Sequence, residues 1–325
     1  MAINYGETLK LKTCILVLAY NVENEIEDVL KNLITLNIPI YIIDDFSKDN
    51  TKNIIKSFIK LKSKKLNLIE NKKNIGAGNS LKKLMALAKS HEYEYFVKVD
   101  GDNQFLIKDI RNLLNILDKE EFDFVKSNRF WRQGISGKIP FHRLVGNLIA
   151  TVLLQFSTGT NLLYDPLNGL FGGKLTIVNF LDSKLYPKRY GYPFYFVTIC
   201  ALNDLKIYQY KNTVRYANEK SNLKIIRVLF TLIKITIFTY IKKIKIKINI
   251  DNLQFSAFLD LIFLTTSLVY FYCLFKTFIY FFIDENDGNQ GQWFILAILF
   301  FILSLYTFIK SFLIESKYKN NFIYN

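Results

Sequence analysis

In the N-terminal part of the chain, short apolar runs alternate with longer segments whose apolar residues recur at helical spacing. The apolar runs predict buried parallel strands, and the longer segments predict the helices between them. The predicted strands are 13–20, 38–45, 66–71 and 93–100, and the predicted helices are 24–36, 47–61 and 78–90. This alternation indicates an α/β fold with a parallel sheet covered by helices on both faces. In such a fold, ligands bind beyond the carboxyl ends of the strands.

The pattern changes after the predicted globular domain, 1–220. Segment 221–252 mixes Ile, Leu and Phe with Lys or Arg every few residues, which predicts a basic amphipathic juxtamembrane helix lying on a membrane surface. A packed helix of the globular domain and a third span remain open for this segment. Within the last part, 253–325, the stretches 259–283 and 293–314 are each apolar enough and long enough to cross a bilayer.

The charges around the two predicted spans are asymmetric. The loop between them, 284–292, is acidic and has no Lys or Arg, whereas lysines precede the first span and follow the second. Because basic flanks stay on the cytoplasmic side of a membrane, both flanks and the globular domain are expected there. The sequence therefore predicts a cell-membrane protein with two spans and a catalytic-type domain on the cytoplasmic face.

Composition narrows the class of partner. The 325 residues carry a formal net charge of +15, with 43 Lys and Arg against 28 Asp and Glu, which favours anionic partners. Hydrophobic residues make up 50% of the chain, and the basic excess clusters around the membrane-type segments. We therefore expect a lipid membrane rather than nucleic acid as a partner. The three cysteines lie far apart in apolar surroundings and indicate neither a disulfide framework nor a metal cluster.

Acidic residues follow two of the predicted strands. Asp44 and Asp45 end the second strand, and Asp100, Asp102 and Gln104 follow the fourth, in VKVDGDNQF. Oxygen ligands of this kind suit Mg²⁺ or Mn²⁺ held against a diphosphate, and a carboxylate can also accept hydrogen bonds from a base or a ribose. The pattern predicts a site for a nucleoside diphosphate and a divalent cation. The alternative is that these acids only cap turns.

A glycine-containing loop precedes the third predicted helix. NKKNIGAGNS places Gly76 and Gly78 there, where glycine permits a tight turn and a close approach of the backbone to a ligand. The spacing of the glycines fits neither a P-loop nor a dinucleotide-binding fingerprint.

As an ordered set, these motifs resemble family-2 glycosyltransferases with the GT-A fold. LAYNVENEI, IIDDFSKDNT, NKKNIGAGNS, VKVDGDNQF and KSNRF occur in the order and spacing of that family, and IPFHRLVGN, DPLNGLFGG and YANEKSNLKI follow. The resemblance covers roughly residues 10–225. It is nearest to dolichol-phosphate or polyprenyl-phosphate sugar synthases, some of which carry two C-terminal membrane helices.

The resemblance implies a role for each matching residue. The implied donor nucleotide-binding residues are Tyr20, Asn21, Glu23, Asp44, Asp45, Gly76 and Asp100. The implied ligands of Mg²⁺ or Mn²⁺ are Asp100, Asp102 and Gln104. Arg129 and Arg143 match positions that contact the phosphates or the lipid-phosphate acceptor, and with Asp102 they form the implied catalytic set. The planar guanidinium of Arg suits this task because it binds phosphate oxygens in pairs.

Three departures from the family pattern change these expectations. The Glu that usually follows AYN is Val22 here, so Glu23 or Glu25 would take its role. Where some relatives have Arg after Gly-Phe, this chain has Gly-Leu-Phe. Tyr195 and Val197 stand where relatives often have acids in a FESD-like stretch, which removes a candidate general base. A phosphate acceptor is already an anion at neutral pH and needs no such base.

The resemblance thus implies an inverting, metal-dependent glycosyltransferase. It would move a sugar from a GDP- or UDP-sugar to polyprenyl phosphate at the cytoplasmic membrane face. A transferase that extends a lipid-linked or cell-surface polysaccharide remains open, although two spans and the lack of a QxxRW sequence argue against a processive synthase. A non-catalytic membrane scaffold that retains the fold also remains open, as does a homo-oligomeric state.

Overall fold

Two compact units make up the chain. In the computed structural model, the described residues are 12–62, 65–129, 141–212, 225–282 and 290–324. The first unit contains 1–154, 162–236 and 322–325, and the second contains 155–161 and 237–321. Most of the YANEKSNLKI motif and most of the predicted acidic loop lie outside the described residues.

Among the described residues, an eight-stranded mixed sheet forms the centre of the first unit. Its strands are β1 (Thr13–Ala19), β2 (Ile40–Asp44), β3 (Leu66–Glu70), β4 (Tyr95–Asp100), β5 (Phe124–Asn128), β6 (Phe171–Lys174), β7 (Ile207–Lys211) and β8 (Ile323–Tyr324). Their spatial order is β3-β2-β1-β4-β6-β5-β7-β8. Strand β6 pairs antiparallel with β4 and β5, and the other neighbours are parallel.

The predicted parallel strands β1 to β4 are confirmed. Every residue of β1 is buried, and its alternate side chains enter two different apolar clusters, one on each face of the sheet. Burial on both faces explains why this strand reads as a continuous apolar run rather than as an alternating one. The antiparallel strand β6 was not predicted, because FGGK carries no strand pattern. A Cβ on Gly172 would lie 2.5 Å from the Phe96 backbone oxygen in β4, and one on Gly173 would lie 2.5 Å from the Asp123 backbone oxygen just before β5, so β6 requires glycine at both positions.

Helices cover both faces of this sheet, as predicted. The helices of the chain are α1 (Ile26–Ile34), α2 (Thr51–Lys62), α3 (Ala77–Ser90), α4 (Ile107–Leu117), α5 (Phe141–Thr158), α6 (Tyr192–Leu202), α7 (Ile225–Ile248), α8 (Gln254–Phe282) and α9 (Gln290–Lys319). One apolar cluster contains side chains of α3 and α6, and the other contains side chains of α1, α2 and α4. The sheet that carries the strand ends of β1, β2 and β4 is therefore packed against helices on both faces.

The second unit contains two long apolar helices. The segments Asp251–Phe281 and Gly291–Phe322 are long and apolar enough to cross a membrane, and they overlap the two predicted spans. Their most apolar windows are only 22% and 17% buried, whereas a core helix of a soluble protein is mostly buried. Length, composition and exposure thus agree with the predicted hairpin.

Four charged side chains are buried together inside the second unit. Lys247 on α7 pairs with Asp260 on α8 at 2.5 Å and with Glu315 on α9 at 3.2 Å. Lys243 lies 2.9 Å from the same Glu315 oxygen. All four side chains are at most 3% exposed, and the Tyr240 hydroxyl donates a hydrogen bond to Asp260. This charge cluster is neutral as a whole and connects α7, α8 and α9.

The charge cluster refines the interpretation of segment 221–252. Its Lys243 and Lys247 face buried acids, whereas Lys242 and Lys245 are exposed. Only part of the basic charge of this segment is therefore presented on the outer face of α7. That this face lies on a membrane stays a prediction.

Replacing Lys247 by Met should destabilise the second unit, because Asp260 and Glu315 would keep their buried charges without this partner. Breaking a buried ion pair on one side typically costs about 3–5 kcal/mol. Lys245→Met, at an exposed position on the same helix, is the control and should change the free energy of unfolding by less than about 0.5 kcal/mol. Thermal unfolding in detergent measures both. Equal stability of the two variants would contradict a stabilising cluster.

Candidate active site

A pocket of about 210 Å³ opens beyond the carboxyl ends of β1, β2 and β4. Its lining includes Tyr20, Asp45, Asn74, Gly76, Asp100, Asp102, Arg189 and Tyr190. The structure thus brings together acids from two strand ends, as expected for parallel strands whose carboxyl ends meet at one edge of the sheet. Of the predicted site residues, Tyr20, Asp45, Gly76, Asp100 and Asp102 lie here.

Asp45 is fixed by the loop that precedes α3. Its carboxylate accepts hydrogen bonds from the backbone N–H groups of Ile75 at 2.9 Å and Gly76 at 2.8 Å. The Asn71 side-chain amide donates a third bond at 2.9 Å. Asp45 is 5% exposed, so these bonds compensate for most of the hydration that its carboxylate loses. Asp45 therefore shapes the loop in addition to lining the pocket.

Three predicted donor residues lie beside the pocket and hold loops together. The backbone N–H of Lys48 donates to Asn21 Oδ1 at 2.8 Å, and that of Asn50 donates to Glu23 Oε2 at 2.8 Å. Asp44 accepts from the Ser47 backbone N–H at 3.3 Å. The contacts of Asn21 and Glu23 tie the loop after β1 to the segment before α2, and the contact of Asp44 closes a turn within that segment.

The position of Glu23 bears on the first departure from the family pattern. Val22 lines the pocket, whereas Glu23 points its carboxylate at the backbone before α2. A direct contact of Asn21, Glu23 or Asp44 with a nucleotide stays a prediction.

Asp100 is held by a buried lysine. Lys98 Nζ lies 2.6 Å from Asp100 Oδ2 and 3.0 Å from the Gly169 carbonyl oxygen, and the Lys98 side chain is fully buried. A Cβ on Gly169 would lie 2.5 Å from Asp100 Oδ2, so a larger residue here would displace the Asp100 carboxylate from its position beside Lys98. The only signal of Lys98 in the sequence is one charged residue inside an apolar strand.

Asp102 follows in a tight turn after β4. Its Oδ1 accepts a hydrogen bond from the Gln104 backbone N–H at 3.2 Å, and Asn103 between them has a φ of +55°. Gln104 itself is not among the residues that line the pocket. Its predicted role as a metal ligand is untested.

The carboxylates of Asp100 and Asp102 fit a hard divalent cation. Both line the same pocket, and Mg²⁺ in particular commonly takes one or two protein carboxylates together with waters and substrate phosphates. Across the described residues, no group of three or more His, Cys, Asp or Glu side chains is placed to form a protein-only metal cage. The donor set is thus of the type that a substrate diphosphate completes.

Arg129 is engaged by a buried carboxylate. Its Nε and Nη2 lie 2.9 and 2.6 Å from the two oxygens of Asp165, and its backbone N–H donates to Asp165 at 2.8 Å. Burial of Asp165 opposes its charge, but the Arg129 guanidinium and the Lys126 ammonium hold the pKa of Asp165 below its usual value. Burial also lowers the pKa of Lys126 to about 8. The three hydrogen bonds to Asp165 therefore fix the orientation of Arg129.

Neither predicted phosphate-binding arginine lines the pocket. Arg129 follows β5, and Arg143 lies half-buried near the start of α5. Their contact with a phosphate stays a prediction.

The positions of the missing acids face the core rather than the pocket. All of α6 is buried, including Tyr195 and Val197, and the Tyr195 hydroxyl accepts a hydrogen bond from the Asp182 backbone N–H at 2.8 Å. At the start of the same helix, burial and the nearby Asp100 carboxylate raise the pKa of Tyr192. Tyr195 and Val197 therefore lie in the apolar core and are not among the residues that line the pocket.

A second chain segment, which the sequence did not reveal as part of the site, crosses the glycine loop. The backbone N–H of Asn79 donates to the Lys188 carbonyl at 3.0 Å, and a Cβ on Gly78 would lie 2.0 Å from the Pro187 oxygen. At Gly76, whose φ is +90°, a Cβ would lie 2.6 Å from the Lys188 oxygen. The glycines thus make room for residues 187–189, and a contact of Gly76 with a nucleotide stays a prediction.

The match to a protein family decides the class of enzyme. The family model described as glycosyl transferase family 2 matches residues 14–179, which include β1 to β6 and the acids at the strand ends. The chain belongs to glycosyl transferase family 2.

Two curated relatives extend this family assignment. An uncharacterised protein of Methanocaldococcus jannaschii is 30% identical over 207 residues, which cover 62% of this chain and 87% of the relative. The UDP-N-acetylglucosamine–dolichyl-phosphate N-acetylglucosaminyltransferase of Methanococcus voltae is 27% identical over 190 residues, which cover 54% of this chain and 74% of the relative.

Solved structures show the same fold. Glucosyl-3-phosphoglycerate synthase from Mycobacterium tuberculosis, in complex with UDP, has a TM-score of 0.54 at 16% identity over 72% of this chain and 82% of the synthase. Another structure of that synthase contains Mn²⁺, UDP and glucosyl-3-phosphoglycerate, with a TM-score of 0.52 at 15% identity over 74% of this chain and 82% of the synthase. The predicted GT-A fold is confirmed, and this family-2 protein is a glycosyltransferase.

Gly169→Ala should impair the glycosyltransferase, because the new Cβ displaces Asp100 from Lys98. A shift of about 1 Å in a catalytic group can cost roughly a hundredfold in rate. Gly146→Ala on α5 is the control, since its Cβ meets nothing within 4 Å. Sugar transfer from a radiolabelled nucleotide sugar and thermal unfolding are measured on both variants. A folded Gly169→Ala enzyme with wild-type activity would contradict the importance of this ion pair.

Proposed function

We propose that this glycosyltransferase moves a sugar from a nucleoside-diphosphate sugar to a polyprenyl phosphate at the cytoplasmic face of a membrane. One observation carries the proposal: a carboxylate-lined pocket at parallel strand ends and two apolar helices of spanning length occur in the same chain. The Methanococcus voltae relative supports the acceptor class, because its name states a dolichyl-phosphate substrate.

The donor would occupy the pocket at the ends of β1, β2 and β4. Tyr20 would supply an aromatic ring and Asp45 a carboxylate for a base and a ribose, next to the glycine loop at Gly76. A UDP-sugar is the first choice, because the names of the relative and of the synthase structures contain UDP, with a GDP-sugar as the alternative.

Asp100 and Asp102 would hold Mg²⁺ or Mn²⁺ in this pocket. Lys98 neutralises part of the charge of Asp100, and a divalent cation would compensate the remaining negative charge of the two carboxylates. When bound, the ion would neutralise charge that develops on the departing diphosphate. The complex of the mycobacterial synthase with Mn²⁺ supports a metal of this class.

The acceptor would be an anion that needs no general base. A phosphate oxygen is already deprotonated at neutral pH, so buried Tyr195 and Val197 in place of acids do not prevent its attack. Arg143 would orient the acceptor phosphate for a single in-line displacement, which inverts the anomeric centre. Arg129, whose orientation Asp165 fixes, would contribute positive charge nearby. Catalysis would then rest mainly on positioning and electrostatics.

The long apolar helices would place the enzyme in the membrane that contains its acceptor. Large apolar side chains along both helices are exposed, among them Phe258, Leu268 and Phe271 on α8 and Ile295 and Leu313 on α9. Such side chains are stable in lipid and unfavourable in water. The basic flanks would keep the catalytic domain on the cytoplasmic side.

Arg143→Ala should reduce transfer to a short-chain polyprenyl phosphate by about a hundredfold, the effect of removing one charge-assisted contact of about 3 kcal/mol. Hydrolysis of the donor by water should fall much less, because water needs no phosphate-binding arginine. Lys at position 143 should restore only part of the activity, since it has the charge without the planar fork. Lys108→Ala, an exposed cation on α4, is the control.

The same assay separates the proposed function from its alternatives. If the wild-type enzyme used a lipid-linked oligosaccharide in preference to polyprenyl phosphate as acceptor, this result would contradict the acceptor assignment. Equal loss of transfer and hydrolysis in Arg143→Ala would place Arg143 on the donor side. Because nucleotide sugars do not cross a bilayer, inverted vesicles should be active without detergent, and activity confined to right-side-out vesicles would contradict the cytoplasmic location.

A further inference from the structure

Arg189 is the one cationic residue in the lining of the pocket, as far as the described residues go. The same lining contains the carboxylates of Asp45, Asp100 and Asp102. Asp45 is bonded to loop N–H groups and Asp100 to Lys98, yet an anionic ligand still meets a pocket rich in negative charge. Favourable binding of a diphosphate there requires fixed positive charge close to it.

The backbone on either side of Arg189 is anchored. The Tyr186 hydroxyl donates to the Gly78 carbonyl at 2.8 Å, and the Gly78 backbone N–H donates to the Arg189 carbonyl at 3.3 Å. These contacts hold residues 186–189 across the loop before α3. Gly76 and Gly78 allow the close approach of the two segments. The position of Arg189 relative to the pocket is thus set by the fold.

The guanidinium of Arg189 is also oriented. Its Nη1 donates a hydrogen bond to the Asn74 side-chain oxygen at 2.7 Å, and Asn74 lines the same pocket. The side chain is exposed, so it gives up little hydration before a ligand arrives. An oriented, solvated guanidinium at the mouth of a pocket is well suited to bind phosphate oxygens.

We propose that Arg189, held by Asn74, contacts the diphosphate of the nucleoside-diphosphate donor. The inference rests on the proposed donor class and adds a residue on the segment before α6, far in sequence from the strand-end acids. The competing assignments are that Arg189 contacts the base or ribose of the donor, or that it contacts the acceptor.

The test is nucleotide binding by the full-length protein in detergent, measured by calorimetry with UDP, GDP and their nucleosides, uridine and guanosine. Arg189→Ala should weaken binding of the preferred diphosphate by about ten- to a hundredfold, the range for a hydrogen bond to a charged group. Binding of the matching nucleoside should stay within about twofold, because it has no phosphate. Arg189→Lys should lose less than Arg189→Ala. Lys188→Ala, the exposed neighbour outside the pocket lining, is the control.

The outcomes distinguish a failure of the proposed function from a failure of the role assigned to Arg189. Wild-type protein that binds neither UDP nor GDP would overturn the proposed function. Wild-type binding with an unchanged affinity in folded Arg189→Ala would overturn the role of Arg189 alone. Equal weakening of diphosphate and nucleoside would reassign Arg189 to the base or ribose and so overturn the diphosphate contact. Thermal unfolding of Arg189→Ala and Lys188→Ala confirms that both are folded.

Discussion

The arrangement of the pocket depends on the buried ion pair between Lys98 and Asp100. Lys98 is fully buried in β4, and its ammonium group binds both the Asp100 carboxylate and the Gly169 carbonyl of the segment that leads into β6. A buried lysine is stable only with such partners, because an isolated charge loses its hydration without compensation. The pair therefore fixes the end of β4 against the segment that leads into β6 and holds the Asp100 carboxylate at the edge of the pocket.

Each acid of the pocket is positioned by a different neighbour. Backbone N–H groups of the glycine loop hold Asp45, Lys98 holds Asp100, and the turn at Gln104 holds Asp102. Preorganised charges of this kind need little rearrangement when a ligand binds, which is how electrostatic catalysis gains its efficiency. The pocket thus suits a ligand that brings a cation with it, and Arg189 is the cationic side chain in the described lining.

Much of this could be predicted because its signals are local. Buried parallel strands read as apolar runs, their carboxyl ends meet at one edge, and so the acids at Asp45 and Asp100 were expected to converge. The antiparallel strand β6 could not be predicted, because FGGK is defined by close backbone contacts with its neighbours rather than by its own side chains. The roles of Gly78 and Lys247 were hidden for a similar reason. Their partners, Pro187 and Glu315, lie far away in the sequence.

The central claim is that Asp100 and Asp102 hold the donor diphosphate through a divalent cation. The most direct measurement is the affinity of wild type and Asp102→Asn for UDP and GDP, with Mn²⁺ and with EDTA, on protein whose folding is verified by thermal unfolding. Wild type should bind one of them more tightly with Mn²⁺ than with EDTA, because a cation held by Asp100 and Asp102 would attract the diphosphate. Asp102→Asn should bind it equally weakly in both conditions. An undiminished Mn²⁺ enhancement in Asp102→Asn would contradict the account.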